Sequence, residues 1–143
     1  MNAEELLRRA ALLVDSVPGK RPLIYHITND VTIHLSANAT LALGGAPVMS
    51  SSPRESADIT SLSDALVINI GTPGRNSVKA MTRACRRASA EGIPAVLDPV
   101  GAGFTAYRTG SSDHSSPQEP FPLSRGMLRK WPGWPASERE QEG

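Results

Sequence analysis

Apolar segments alternate with short polar turns over the first 110 residues, and their spacing predicts helices that alternate with strands. Residues 2–16 place their apolar side chains on one stripe at helical spacing, and Asn2 followed by Glu5 is typical of a capping box. Short apolar runs that are bounded by turn residues predict strands instead. These predicted strands cover residues 22–27, 46–49, 65–70 and 93–97.

Three further helices are predicted between these strands. Asn29 or Asp30 would cap a helix that runs to Leu43, and the two glycines that follow would end it. Pro53 suits the first turn of a short helix. Residues 77–91 have a helical apolar stripe that stops at Gly92. This order predicts an α/β fold with a mostly parallel sheet flanked by helices on both faces.

The alternation stops near Gly110. The last 33 residues contain five of the 12 prolines and both tryptophans, and their apolar positions follow neither a strand nor a helix period. We therefore divide the chain into a folded part, residues 1–110, and an irregular or disordered tail, residues 111–143.

Charge and cysteine content narrow the class of protein. The 15 Lys and Arg residues nearly balance the 14 Asp and Glu residues, so we expect neither nucleic acid nor an anionic membrane as a partner. The single cysteine, Cys85, rules out an intrachain disulfide and fits a reducing compartment. No apolar run reaches the roughly 20 residues that a membrane span needs, and charged residues interrupt the N-terminus where a signal peptide would be apolar. A cytoplasmic location is expected.

Small or polar residues follow each predicted strand, at the edge where parallel sheets bind ligands. Such residues leave room for a ligand and allow backbone N–H groups to approach it. The four strand ends are Thr28-Asn29, Met49-Ser50, Gly71-Thr72 and the segment from Asp98 to Gly103.

Several of these residues have two interpretations each. Asp98, the only carboxylate at a strand end, is suited to hold Mg²⁺ through water opposite a nucleotide's phosphates, or to cap a turn. Asn29 is suited to a ligand heteroatom or to a helix cap. Met49 is suited to an apolar pocket or to the core. The run Gly101-Ala102-Gly103 is suited to cradle an anion or to form a tight turn. It is neither a Walker A loop nor a full dinucleotide fingerprint, so the turn is the simpler interpretation.

The remaining reactive side chains favour structural roles. Cys85 lies inside a helix stripe and is expected to be buried and inert. The three histidines, His26, His34 and His114, have no metal-ligand spacing. The three arginines of residues 83–87 indicate a solvated helix face.

Taken together and in order, these motifs resemble the N-terminal half of the hydroxyethylthiazole kinase family over roughly residues 6–110, without a gap. The resemblance is specific because several separate motifs stand in register. The matching motifs are Ile27-Thr28-Asn29, residues 36–44, Ala46-Pro47-Val48-Met49, residues 64–72, residues 97–103 and Tyr107-Arg108-Thr109.

The resemblance implies a fold, an activity and roles for four residues. It implies a ribokinase-like α/β fold, a homotrimer with the substrate pocket at the subunit interface, and Mg²⁺-dependent transfer of the ATP γ-phosphate to the hydroxyl of 4-methyl-5-(2-hydroxyethyl)thiazole in thiamine salvage. By motif position, Met49 contacts the thiazole, and Asn29 and Gly71 line the same pocket. Asp98 lies near the metal and the phosphates.

The chain departs from the family after Thr109. The family continues for about as many residues again, with a glycine-rich anion hole, the catalytic residues and most nucleotide contacts, so no catalytic residue is expected in this chain. Arg125-Gly126 stands at the position of the family's nucleotide-binding Arg-Gly pair, but the residues from Met127 onward differ from the family.

A shifted reading frame accounts for this departure. Codons compatible with residues 126–135, read one frame over, spell Asn-Ala-Ser-Glu-Val-Ala-Gly-Leu-Ala, which is the family's pattern. Each Trp-Pro pair of this segment forces an alanine in that frame, whatever codon the proline uses. The alternative is a natural, unrelated tail.

Three interpretations of function follow. The first is a kinase by ancestry, truncated or frameshifted and inactive as it stands. The second is a non-catalytic remnant that binds the thiazole or oligomerises. The third is an unrelated α/β binding module, which the series of matching motifs disfavours.

Overall fold

The computed structural model of the protein describes residues 2–101 and residue 104. Four helices alternate with four strands in this part of the chain. They are α1 (Ala3–Lys20), β1 (Leu23–Ile27), α2 (Ile33–Ala42), β2 (Ala46–Met49), α3 (Ser56–Leu62), β3 (Ala65–Asn69), α4 (Arg75–Glu91) and β4 (Ala95–Asp98). The predicted tail at 111–143, Tyr107-Arg108-Thr109, His114 and Arg125 lie outside the described residues.

The four strands form one sheet in the order β2-β1-β3-β4, and every neighbouring pair is parallel. The sheet and its flanking helices confirm the predicted α/β class. Because parallel strands run in one direction, their carboxyl ends lie along the same edge.

The core lies between one face of the sheet and helices α3 and α4. Tyr25 and Ile27 of β1 alternate with residues that point to the other face, and Leu66 and Ile68 of β3 do the same. The predicted stripe of α4 packs against them and is buried: Val78, Met81, Ala84, Cys85 and Ala88. These buried apolar contacts attach α4 to the sheet.

The other face of the sheet is covered unevenly. Helix α2 lies beside β2, and its Thr40 bonds the side chain of His26 on β1. Among the described residues, no helix covers this face of the sheet at β4, where Val96 is 63% exposed. The apolar stripe predicted for α1 is also exposed, since no residue of α1 is buried.

The helix boundaries differ from the predictions where side chains bond the backbone locally. The Asn29 Oδ1 atom accepts from the amides of Val31 and Thr32, so a turn precedes α2, which begins at Ile33 rather than near residue 29. The Ser50 and Ser52 hydroxyls bond amides in the next loop, so Pro53 lies in a turn before α3 and not in its first turn.

Two ends follow the predicted glycine signals. Gly44, at φ +88°, and Gly92, at φ +69°, leave α2 and α4 in the left-handed conformation. Helix α1 continues past the predicted end to Lys20 although Pro18 lies inside it. Pro18 packs so closely on Gly44 that a Cβ atom at residue 44 would lie 2.8 Å from the Pro18 Cα atom. Among the described residues, none of the helices is long and apolar enough to cross a membrane.

Candidate functional site

Three side chains from three strand ends form one hydrogen-bonded series at the carboxyl edge of the sheet. The Asn29 Nδ2 atom donates to the Asn69 Oδ1 atom at 2.7 Å, and the Asn69 Nδ2 atom donates to the Asp98 Oδ2 atom at 2.5 Å. Asn29 is 6% exposed and Asn69 is 8% exposed, so both amides are held inside the protein. The strand order places them together, because β3 lies between β1 and β4.

Asn29 uses both ends of its amide. Its oxygen accepts from the backbone amides of Val31 at 3.0 Å and Thr32 at 2.9 Å, while its nitrogen donates to Asn69. The two interpretations of this residue are therefore compatible. Asn29 organises the turn before α2, and it belongs to the series of Asn29, Asn69 and Asp98, which we call the polar edge. One N–H bond of the Nδ2 atom is not used by Asn69 and can serve a ligand.

The backbone of Gly71 packs against the side chains of Asn29 and Asn69. Its amide donates to the Asn69 Oδ1 atom at 2.9 Å. A Cβ atom at this position would lie 2.9 Å from the Asn29 Nδ2 atom and 3.0 Å from the Asn69 Oδ1 atom. Such distances are too short for a carbon, so glycine allows the backbone to approach the asparagines.

Asp98 is the exposed end of the series, on the last residue of β4. Its Oδ2 atom accepts from Asn69, and its backbone oxygen accepts from the amide of Ile70 at 3.2 Å. The described residues contain no group of three or more His, Cys, Asp or Glu side chains arranged around one metal position. A metal ion at this edge would therefore take one carboxylate from the described protein and its other ligands from water or phosphate, which is a usual arrangement for Mg²⁺.

Met49 ends β2 and is half-buried. The register pairs Met49 with His26 and His26 with Val67, and Asn69 lies two residues after Val67. Strand alternation therefore places Met49 on the same sheet face as Asn69 and Asp98. It lies outside the main core cluster, on β2, and β1 stands between β2 and the strand of Asn69.

His26 is a buried structural histidine. Its Nε2 atom lies 3.1 Å from the Thr40 hydroxyl, and that hydroxyl donates to the Ser36 carbonyl at 3.0 Å. Since the hydroxyl proton is used, the Nε2 atom must carry the proton that Thr40 accepts. The Nδ1 atom has no hydrogen-bond partner among the described residues, and burial lowers the pKa of the ring.

Burial keeps two other side chains, Tyr25 and Cys85, protonated and unreactive. Tyr25 donates its hydroxyl proton to the Ser50 carbonyl at 3.0 Å, and burial together with the Glu55 charge raises its pKa to about 12. It therefore anchors the loop after β2. Burial raises the pKa of the Cys85 thiol to about 12, so the thiol stays protonated.

Sequence reasoning missed Asn69 as a member of the site. The sequence feature that could have identified Asn69 is an amide side chain in a strand that is otherwise apolar, from Ala65 to Ile70. The pattern does not show which neighbours this amide meets, because these depend on strand order. Ala102, Gly103 and Arg125 lie outside the described residues.

The chain matches the hydroxyethylthiazole kinase family over residues 14–120. A hydroxyethylthiazole kinase from Desulforudis audaxviator is 50% identical over 109 residues, which are 76% of this chain and 40% of that protein. One from Ruminiclostridium cellulolyticum is 41% identical over 124 residues, which are 87% of this chain and 45% of that protein. A solved structure of a hydroxyethylthiazole kinase protein from Pyrococcus horikoshii has a TM-score of 0.65 at 46% identity, over 67% of this chain and 38% of that one. The chain thus spans less than half the length of these relatives.

Proposed function

The chain belongs to the hydroxyethylthiazole kinase family, and on that premise we propose that it forms the thiazole-binding part of an ATP-dependent kinase. The substrate is 4-methyl-5-(2-hydroxyethyl)thiazole, whose hydroxyl receives the γ-phosphate of ATP in thiamine salvage. The observation that carries this proposal is the series of Asn29, Asn69 and Asp98 at the carboxyl ends of the strands, with Met49 on the same sheet face as Asn69 and Asp98. Parallel sheets bind their ligands at this edge.

The residues divide into an apolar part and a polar part. Met49 supplies a polarisable side chain for the thiazole ring. Asn29 and Gly71 line the same pocket, with the free N–H bond of Asn29 as a donor to the substrate. The closeness of Gly71 to both asparagines supports a compact pocket wall. No catalytic residue is assigned among residues 1–110.

Asp98 is the residue that would hold Mg²⁺. Its exposed carboxylate has a second oxygen, Oδ1, which the Asn69 amide does not bond. Oxygen donors of this kind fit Mg²⁺, which usually takes one or two carboxylates and keeps water and phosphate as its other ligands. When bound, Mg²⁺ neutralises charge on the phosphates, and the protein contributes by positioning the groups that react.

The remaining features of the proposal come from the family. For the full-length kinase they are a cytoplasmic homotrimer with the pocket at a subunit interface and ATP as co-substrate, and the position of Arg125 would contact the nucleotide. The alternative is a non-catalytic remnant that binds the thiazole or oligomerises. Its support is the extent of the match, which covers 40% and 45% of the two kinases named above.

A phosphorylation assay with radiolabelled ATP and the thiazole alcohol separates these functions. We expect the 143-residue chain alone to show no turnover, because the family's anion hole is not among its motifs. Loss of a single donor of such a hole costs enzymes roughly 2.7–4 kcal/mol of barrier. Calorimetric titration with the thiazole alcohol should nevertheless show binding that Met49→Ala weakens and that Met81→Ala, in the core, leaves at the same affinity per folded molecule. Absence of binding would contradict the proposed pocket, and turnover would contradict the assignment of catalysis to another segment.

A further inference from the structure

Asn69 lies between the two functional ends of the proposed site. On one side it meets Asn29 and Gly71, which line the proposed thiazole pocket, and on the other side it meets Asp98. Asn29 and Asp98 bond different atoms of the same amide. Any change in the orientation of the Asn69 amide therefore alters its hydrogen bonds to both Asn29 and Asp98.

The orientation of the Asn69 amide is determined by its neighbours. Its Oδ1 atom accepts two hydrogen bonds, from the Asn29 Nδ2 atom at 2.7 Å and from the Gly71 backbone at 2.9 Å. A flipped amide would turn its own NH₂ group toward these two donors, which is unfavourable in a buried place. Its Nδ2 atom must therefore face Asp98.

Asp98 depends on this contact more than the asparagines do. It is exposed on the edge strand β4, and the Asn69 bond is the side-chain hydrogen bond that the described residues make to its carboxylate. A carboxylate in this position would otherwise exchange between rotamers in water. The buried amide holds the Oδ2 atom and makes no bond to the Oδ1 atom.

We propose that Asn69 is a positioning residue that orients the Asp98 carboxylate and the Asn29 amide together and so couples the two ends of the site. The functional meaning of this coupling rests on the proposed kinase function. Occupation of the thiazole end then restricts the carboxylate at the phosphate end, and the reverse holds by reciprocity.

Solution NMR of the side-chain amides in the full 143-residue chain tests this without any ligand. Asp98→Ala should shift the Nδ2 signals of both Asn69 and Asn29, although Asn29 bonds Asn69 and not Asp98. Asp98→Asn keeps an oxygen that accepts from Asn69, so it should restore both signals toward their wild-type positions. Asp58→Ala, which removes another exposed aspartate, is the matched control and should shift neither. An Asn29 signal that does not respond to Asp98→Ala overturns the proposal.

A second variant identifies Asn69 as the connection. In Asn69→Ala the Asn29 signal should move to the position of an exposed asparagine such as Asn76, and it should no longer respond to Asp98→Ala. A response as large as in the wild-type background would overturn the proposal. If Asn69→Ala does not fold, the comparison of Asp98→Ala with Asp98→Asn still decides.

Titration with 4-methyl-5-(2-hydroxyethyl)thiazole then separates this inference from the proposed function. We expect Asp98→Ala to weaken binding roughly fivefold, as the loss of one typical hydrogen bond would, and Asp98→Asn to recover it. An affinity unchanged by Asp98→Ala overturns the coupling. If the compound shifts neither Asn29 nor Met49 in the wild-type chain, the thiazole pocket is wrong, and the ligand-free amide signals alone decide the role of Asn69.

Discussion

At the scale of single residues, the polar edge depends on which end of each amide meets which neighbour. Asn29 caps the turn before α2 with its oxygen and bonds Asn69 with its nitrogen, so the cap and the site are one arrangement. Gly71 is required because the two asparagines fill the space that a side chain would need. A change of one atom at these positions should therefore disturb both stability and binding.

Gly71→Ala should destabilise the protein. The new Cβ atom would lie 2.9 Å from the Asn29 Nδ2 atom, and overpacking of this kind costs about 1–3 kcal/mol. Urea unfolding in dilute solution measures the difference. Gly19→Ala is the matched control, because nothing lies within 4 Å of its added Cβ atom and alanine favours a helix. A Gly71→Ala variant as stable as the wild type would contradict the close packing described for the asparagines.

His26 should make the protein less stable in acid. Burial lowers the pKa of the folded ring below its usual value of 6.5, so the unfolded chain binds a proton more readily than the folded chain does. The contribution of His26 is complete above pH 6.5 and is lost as the pH falls through the lowered pKa. Unfolding measured from pH 7.5 to pH 5 should show this decline, and His26→Gln should flatten it. His34→Gln, at an exposed histidine, should leave the decline unchanged.

At the scale of elements, packing is strong on one face of the sheet and incomplete on the other. Helix α4 buries its predicted stripe against β1 and β3, whereas the similar stripe of α1 remains exposed. Among the described residues, β4 pairs with β3 on one side and has no strand on its other side. An edge of this kind, with an exposed valine, favours association with other chains.

The 143-residue chain should therefore self-associate as its concentration rises, without forming a defined trimer. Val96→Lys places a charge on the exposed face of β4 and should reduce this association, since lysine protects edge strands. Leu62→Lys makes the same change in charge at a side chain that is 76% exposed on α3, away from the edge, and should have a smaller effect. Sedimentation velocity at several concentrations measures both. A soluble trimer with one sharp melting transition would show that the edge is not the site of association.

At the scale of the whole molecule, the chain combines a recognisable kinase segment with a sequence of different character. The family match extends to residue 120, ten residues past the boundary predicted at residue 110. The division into residues 1–110 and 111–143 stays a prediction, as does the shifted reading frame. The pattern recovered from residues 126–135 motivates a direct test on the gene.

Restoring the frame near codon 110 should open a longer reading frame that contains the Asn-Ala-Ser-Glu string. Sequencing the gene and a few hundred bases downstream checks this, and stop codons soon after that string would contradict it. The protein expressed from the restored frame should phosphorylate the thiazole alcohol in the radiolabel assay. Its Asp98→Ala variant is the internal control, because it should lose activity if the carboxylate acts beside the phosphates as proposed.

Local sequence determined the order and type of the elements, from β1 to β4, and the glycine ends of α2 and α4. It could do so because strand and helix periods and left-handed glycines arise from backbone geometry within a few residues. The family, too, was evident from motifs in register. Side-chain hydrogen bonds to the backbone near Asn29 and Pro53 make α2 and α3 begin later than predicted. The period of apolar residues does not reveal such bonds.

Only the tertiary structure decided how the polar edge is assembled. Asn29, Asn69 and Asp98 are far apart in the chain, and they meet because the sheet takes the order β2-β1-β3-β4. A side-chain amide reaches only its immediate neighbours in space, and those neighbours are chosen by strand pairing rather than by local propensity. For this reason the sequence, through the family resemblance, pointed to Asn29 and Gly71 in one pocket and to Asp98 near the phosphates, while the folded sheet joined all three through Asn69.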